Sequence, residues 1–155
     1  MTSYRIQEAN LTIPSEWSDQ SLNIFKIPGG NGFHEGSFLI SRDTLDTAKA
    51  FKDYFQLQLN KCQTQLPQFE LKKNECFETQ GTQCGWLEYC WHNGSIVLYI
   101  RQIFYAIGAK VLICTLTVSP ADVAHHDATW RRVMNSLKLL PPPQDDAPDF
   151  PPKNP

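Results

Sequence analysis

Residues 95–104 read Ser-Ile-Val-Leu-Tyr-Ile-Arg-Gln-Ile-Phe, an extended apolar run in which neither parity is polar. Successive side chains of a strand point to opposite faces, so a half-solvated strand alternates. Here Ile96, Leu98, Ile100, Gln102 and Phe104 fall on one side, and Val97, Tyr99, Arg101, Ile103 and Tyr105 on the other. Such a strand needs cover on both faces. Either the rest of the chain supplies it or something outside the chain does.

The cover available within the chain can be counted. Ala48, Phe51, Phe55, Leu59, Cys62 and Leu66 recur three or four residues apart, which predicts one amphipathic helix ended by Pro67. In the segment SPADVAHHDATWRRVMNSL, Ser119 is a candidate N-cap, Pro120 takes the first helical position and Asp122 the first turn. Trp130, Val133, Met134 and Leu137 then share one face of a second helix.

Strand patterns occupy residues 4–13 (with a shift of phase near Glu8), 21–27, 37–41, 69–77, 84–92, 95–104 and 110–118. Pro28 to Gly32 is a loop by composition. Asn93-Gly94 predicts a type I′ hairpin turn, and Gly108-Ala109 a second tight turn, so the strands form an antiparallel meander.

Six or seven strands with only two single-stripe helices predict an α+β fold. The expected arrangement is an antiparallel twisted sheet with two helices packed on one face and an apolar groove on the other. Phe25 and Ile27 are expected to face the helices and Ile24 to face away. An uncovered apolar face of that kind marks a contact site. A sheet curled into a barrel or sandwich, or a homodimer stacked sheet on sheet, would also bury it.

The chain is predicted to be one domain, residues 1–140, followed by a tail, 141–155, whose proline and acid content predicts a disordered or extended segment. The net charge is −2 with no run of Lys or Arg, which leaves no electrostatic footprint for nucleic acid. No stretch approaches the ~18 apolar residues of a membrane span, and the first residues lack the pattern of a signal peptide. A soluble, cytoplasmic protein without stable membrane association is expected. Its five cysteines form no CxxC pair and read as small buried hydrophobes in a reducing compartment.

His125-His126-Asp127 has no further ligand at zinc-like spacing, so no metal is expected, and Asp127 is read as the cap of the helix through Trp130. No Cys–His pair carries a local catalytic signature, and neither catalytic residues nor a cofactor are expected. Gln102 interrupts an apolar strand face, and a buried amide without a partner is costly, so a partner is expected for it.

The blocks MTSYRIQEANLTIPSEWSDQSLNIFKIP, SFLISRD, QLPQFELKK, RQIF and LTVSPADVAHHDATWRRVMNSL together resemble an Eag-type chaperone of bacterial type VI secretion effectors, within the DcrB-like superfamily. The resemblance runs from Tyr4 to about Leu139 and leaves out the tail. It implies a cytoplasmic homodimer with no catalysis and no cofactor. Its client would be an effector with a PAAR-type spike domain, a class that includes Rhs-type toxins. The chaperone shields that effector's N-terminal transmembrane helices until loading on the secretion spike.

Carried over residue by residue, the resemblance places the client groove at Leu22, Ile24, Leu39, Leu66, Leu98 and Ile113. Gln58 and Gln102 become the polar positions that hydrogen-bond the client. Leucine stands at positions 22 and 39 where the family has isoleucine or valine, which keeps the apolar character. The helix stripe places Leu66 in the core, in tension with a groove role. Two other classes remain open on the residues alone: a small cytoplasmic Cys/His enzyme, and a regulatory adaptor that binds through polar contacts.

Overall fold

The computed structural model describes residues 1–140, so the expectation for the tail at 141–155 lies outside the described residues. The chain divides into two compact units, the first spanning Met1–Val123 and the second starting at Ala124. In the first unit the elements run β1 (Thr2–Arg5), β2 (Asn10–Ile13), β3 (Asn23–Ile27), β4 (Gly36–Thr44), α1 (Phe51–Gln65), β5 (Glu70–Thr79), β6 (Thr82–Asn93), β7 (Ile96–Ile107) and β8 (Lys110–Val118). A 3₁₀ turn at Pro120–Asp122 leads into α2 (Val123–Ser136). The fold is α+β, as the count of elements requires.

β1 and β2 pair with each other as a separate hairpin, and the other six strands form one antiparallel sheet in the order β3-β4-β8-β7-β6-β5. The predicted single strand over 4–13 is therefore two. Its shift of phase is the turn, where the Ile6 amide donates to the Ala9 carbonyl. The central meander forms as expected. Its first turn differs in detail: Asn93 pairs with Ile96, so Gly94 and Ser95 are the central residues and Gly94 alone takes a positive φ of 65°. That is the type II′ pattern, which needs glycine only at the first central position.

Why α1 lies where it does follows from one glycine. A Cβ on Gly85 would sit 2.5 Å from the Phe55 ring, so β6 receives the helix at a position with no side chain. Phe55 stands edge-on to Phe104 with ring centroids 5.5 Å apart, and Phe51 and Leu59 complete the buried stripe of α1. Leu45, Leu87, Tyr89, Ile100, Phe104 and Val111 join them in one apolar core.

Directly paired residues in a sheet project to the same face. The register therefore traces a row from Ile24 to Leu39, Thr115, Gln102, Leu87 and Asn74 on one face. This is the face of α1, because Leu87 belongs to its core. The opposite face carries Phe25, Phe38, Cys114, Ile103 and Trp86. The expected orientation of β3 is thus reversed: Ile24, and not Phe25, shares the face of α1. The candidate groove does not lie across the sheet from that helix. It lies beside it.

Of the second unit, α2 buries His126 and Trp130, one turn apart on the same stripe. Asp127 does not cap it. The helix has already begun, and the Asp127 carboxylate accepts from Arg131 Nε one turn on at 2.9 Å.

Candidate functional site

α1 covers only part of its sheet face. It packs on β6, β7 and the adjoining part of β8, while β3 and β4 stand beyond the core it makes. Within the row described above, Leu87 is 0% exposed and Ile24 is 69% exposed. Leu39, opposite Ile24, is half-buried. Ile113 pairs with Ser41 on one side and Phe104 on the other, and it lies partly buried against the core. Leu98, two residues before Ile100 on β7, is likewise half-buried at the edge of that core.

Five of the eight candidate residues, Ile24, Leu39, Leu98, Gln102 and Ile113, are thereby brought onto one face. Two more sit on or at the end of the helix that shares it. Gln58 is half-buried on α1 and lines a hollow of about 450 Å³ with Asp43, Leu45, Tyr54 and Lys61. Leu66 follows the last turn of α1, its amide donating to the Cys62 carbonyl, and packs against the core, as the helix stripe requires. Leu22 precedes β3, is more than half exposed, and borders a separate hollow of about 410 Å³ with Ser21, Arg42 and Leu112.

Polar groups share this face: Lys26 and Asp43 toward its two ends, together with the Gln102 amide and four hydroxyls. Gln102 Nε2 donates to Thr115 Oγ1 at 3.1 Å, which supplies the partner that the sequence required. Ser37, Ser41 and Thr117 share the face through the register, so β4 alternates Ser37, Leu39 and Ser41 there, while β8 runs from Val111 and Ile113 to Thr115 and Thr117. Sequence reasoning did not single these hydroxyls out. Their signal was the parity they share with Leu39 and Ile113. At the Asp43 end, the Tyr54 hydroxyl donates to Asp43 Oδ2 at 2.7 Å and ties α1 to β4. Burial first, and the Asp43 carboxylate second, push the Tyr54 pKa well up, so the hydroxyl stays a neutral donor.

The opposite face is closed in a different way. Glu88 forms an ion pair with Arg101, its Oε1 2.8 Å from Nε, while it accepts hydrogen bonds from Trp86 Nε1 at 2.7 Å and from the Tyr99 hydroxyl. Glu88 and Arg101 are both buried. Burial, reinforced by Glu88, pushes Tyr99 up to about 12. Cys84, Ile103, Cys114 and Leu116 are buried on the same side. Burial pushes the Cys84 and Cys114 thiols up to about 11, away from the thiolate that nucleophilic chemistry uses.

Among the described residues, no group of three or more His, Cys, Asp or Glu side chains is arranged to hold a metal. No described helix is long and apolar enough to cross a membrane.

Comparison with known proteins agrees with this architecture. The DcrB family profile matches residues 8–136. Over 143 residues, the chain is 42% identical to a Pseudomonas aeruginosa protein named Effector EagT6, covering 92% of this chain and 99% of that one. A solved structure of a Pseudomonas aeruginosa protein of unknown function, PA94, superposes with a TM-score of 0.84 at 42% identity, over 92% of this chain and 99% of that one. The cyanobacterial PsbP (CyanoP) from Synechocystis sp. PCC 6803 superposes with a TM-score of 0.54 at 13% identity, over 84% of this chain and 99% of that one, and shares the fold alone.

Proposed function

The chain belongs to the DcrB family and stands with its Eag-type members, and from that premise we propose that it is an effector-specific chaperone of type VI secretion. Its client is the hydrophobic N-terminal helix segment of a PAAR-containing effector, which it shields in the cytoplasm, as a homodimer, before the effector is loaded on the spike. Family and relative point to a chaperone or adaptor rather than an enzyme.

The observation that supports this reading best is the incompletely covered half of the α1 face, where Ile24 is mostly exposed and Leu39 and Ile113 are only half-buried beside a packed core. Strands stand about 4.8 Å apart, so β8, β4 and β3 make a strip about 10 Å wide, the width of one helix with its side chains. Transmembrane helices associate through close packing and interhelical hydrogen bonds rather than through charge. An apolar strip with an amide and hydroxyls at fixed rows suits such a helix.

The test is affinity purification from the native cell with mass spectrometry of what co-purifies. The expected partner carries a hydrophobic N-terminal segment and a PAAR domain. A partner without such a segment would sink the chaperone reading. Sedimentation of the client-free protein at micromolar concentration is expected to give a dimer, and a soluble monomer would remove that part of the proposal.

A further inference from the structure

Gln102 and Thr115 face each other across the β7–β8 ladder, at the boundary between the helix-covered and the bare parts of one sheet face. Thr115 is buried and Gln102 half-buried, and the Gln102 amide nitrogen donates to the Thr115 hydroxyl at 3.1 Å. A glutamine side chain is among the most flexible, and an unheld one swings its amide over many positions. Here the hydroxyl holds it down on the sheet. The pinned amide keeps an acceptor oxygen and a second N–H for whatever lies over the strip.

Resting on the groove reading above, we propose that Thr115 is a positioning residue that sets client selectivity through Gln102. Covering a pinned amide with a purely aliphatic helix surface buries polar atoms without partners, which is disfavoured. A helix that carries a serine or threonine hydroxyl at that level satisfies them. If the amide were free to move, it would retreat toward water as an aliphatic helix arrived, and the penalty would vanish. The Thr115 hydroxyl is what makes Gln102 discriminate.

The probes are two Lys-flanked 20-residue helical peptides of Leu and Ala in mild detergent. They are identical except that one has Ser in place of Ala at four-residue intervals along one face, so that a hydroxyl meets the Gln102 row at any axial position. Wild-type protein is expected to bind the Ser-bearing peptide about tenfold more tightly, the effect of one unpaired buried polar group. Thr115→Val should lose most of that preference by gaining affinity for the aliphatic peptide, with its unfolding midpoint little changed. Thr115→Ser should keep the preference. Thr115→Ala is the second variant without the hydroxyl, should Val crowd the site.

A merely structural role for Thr115 would weaken both peptides alike and leave their ratio intact, and that result would overturn the proposal. So would an unchanged preference in the hydroxyl-less variants, or no preference in the wild type. If neither peptide binds the wild type, the groove reading itself fails and this inference goes with it.

Discussion

Leu87 and Ile24 stand in one row of one sheet face, with three strands between them, yet Leu87 is 0% exposed and Ile24 69%. Both are aliphatic, both sit in antiparallel strands, and both point the same way. The difference is what lies over them. Leu87 is roofed by the Phe51–Phe55–Leu59 stripe of α1, whereas Ile24 stands beside Leu39 on the edge strand with no part of that stripe over it. An apolar side chain in a strand states which face it is on. It does not state whether that face is closed.

The most severe way to test the covered half is Phe55→Glu. Phe55 is buried between the Gly85 backbone and the Phe104 ring, where a carboxylate would have no water to solvate it. An unpaired charge there costs at least several kcal/mol, comparable to the whole stability of an ordinary domain, about 5–15 kcal/mol. The variant is expected to be unfolded or insoluble, as read by circular dichroism and soluble yield. A folded variant with the wild-type melting temperature would mean that α1 does not close this half.

A gentler cut at the same half is Leu87→Ala. A fully buried leucine replaced by alanine loses its transfer energy and leaves a cavity, together about 2–5 kcal/mol. Urea unfolding should show a lowered midpoint at unchanged slope. A loss below about 1 kcal/mol would contradict its place in the core.

How far these halves were legible in the sequence depends on which residue is asked. α1 was readable because Phe51, Phe55 and Leu59 keep the helical period, and the meander because Gly94 and Gly108 punctuate it. The assignment of faces does not follow from strand parity and the helix stripe alone, although one residue holds the answer. Gly85 is a glycine inside an apolar strand, the usual mark of close approach by another element. Its parity is that of Leu87, which the hairpin register ties to Gln102 and so to Leu98 and Phe104. Followed through, that parity puts the helix on the same face as the candidate groove.

The division at 4–13 is hidden in the sequence for a different reason. Two four-residue strands are too short for alternation to reveal the turn between them. The extent of cover, finally, is not a property of any strand. It depends on where a helix of 15 residues ends relative to six strands, which is tertiary geometry.

Leu98 and Ile24 separate the two halves within the candidate site itself. Leu98 is half-buried against the core and Ile24 is mostly exposed. Leu98→Glu should therefore weaken both folding and client capture, with a drop of several degrees in melting temperature. Ile24→Glu should leave the free protein folded, since water reaches the new charge, while on the function proposed above client co-purification is lost, because the apolar client helix of that proposal would bury the charge. Equal destabilisation by the two variants would erase the distinction between them.

The smallest expected effect is the most informative about what covers the strip. Ile24→Ala removes an aliphatic side chain that is already mostly in water, so the free subunit should change in stability by no more than about 0.5 kcal/mol, as surface substitutions usually do. This contrasts with Leu87→Ala in the same row. The contrast holds only while nothing sits on Ile24. If a second copy of the chain covers β3, the apolar contact is made in the dimer alone, and dimerisation stabilises the fold by mass action. The cost of Ile24→Ala would then grow with protein concentration, visible as melting temperatures that diverge from wild type between dilute and concentrated samples. A cost that stays near zero at every concentration leaves Ile24 free in the resting chaperone and available to a client helix. A large cost at the lowest concentration would show that Ile24 belongs to the subunit's own core, and the open half of the sheet would have to be sought elsewhere.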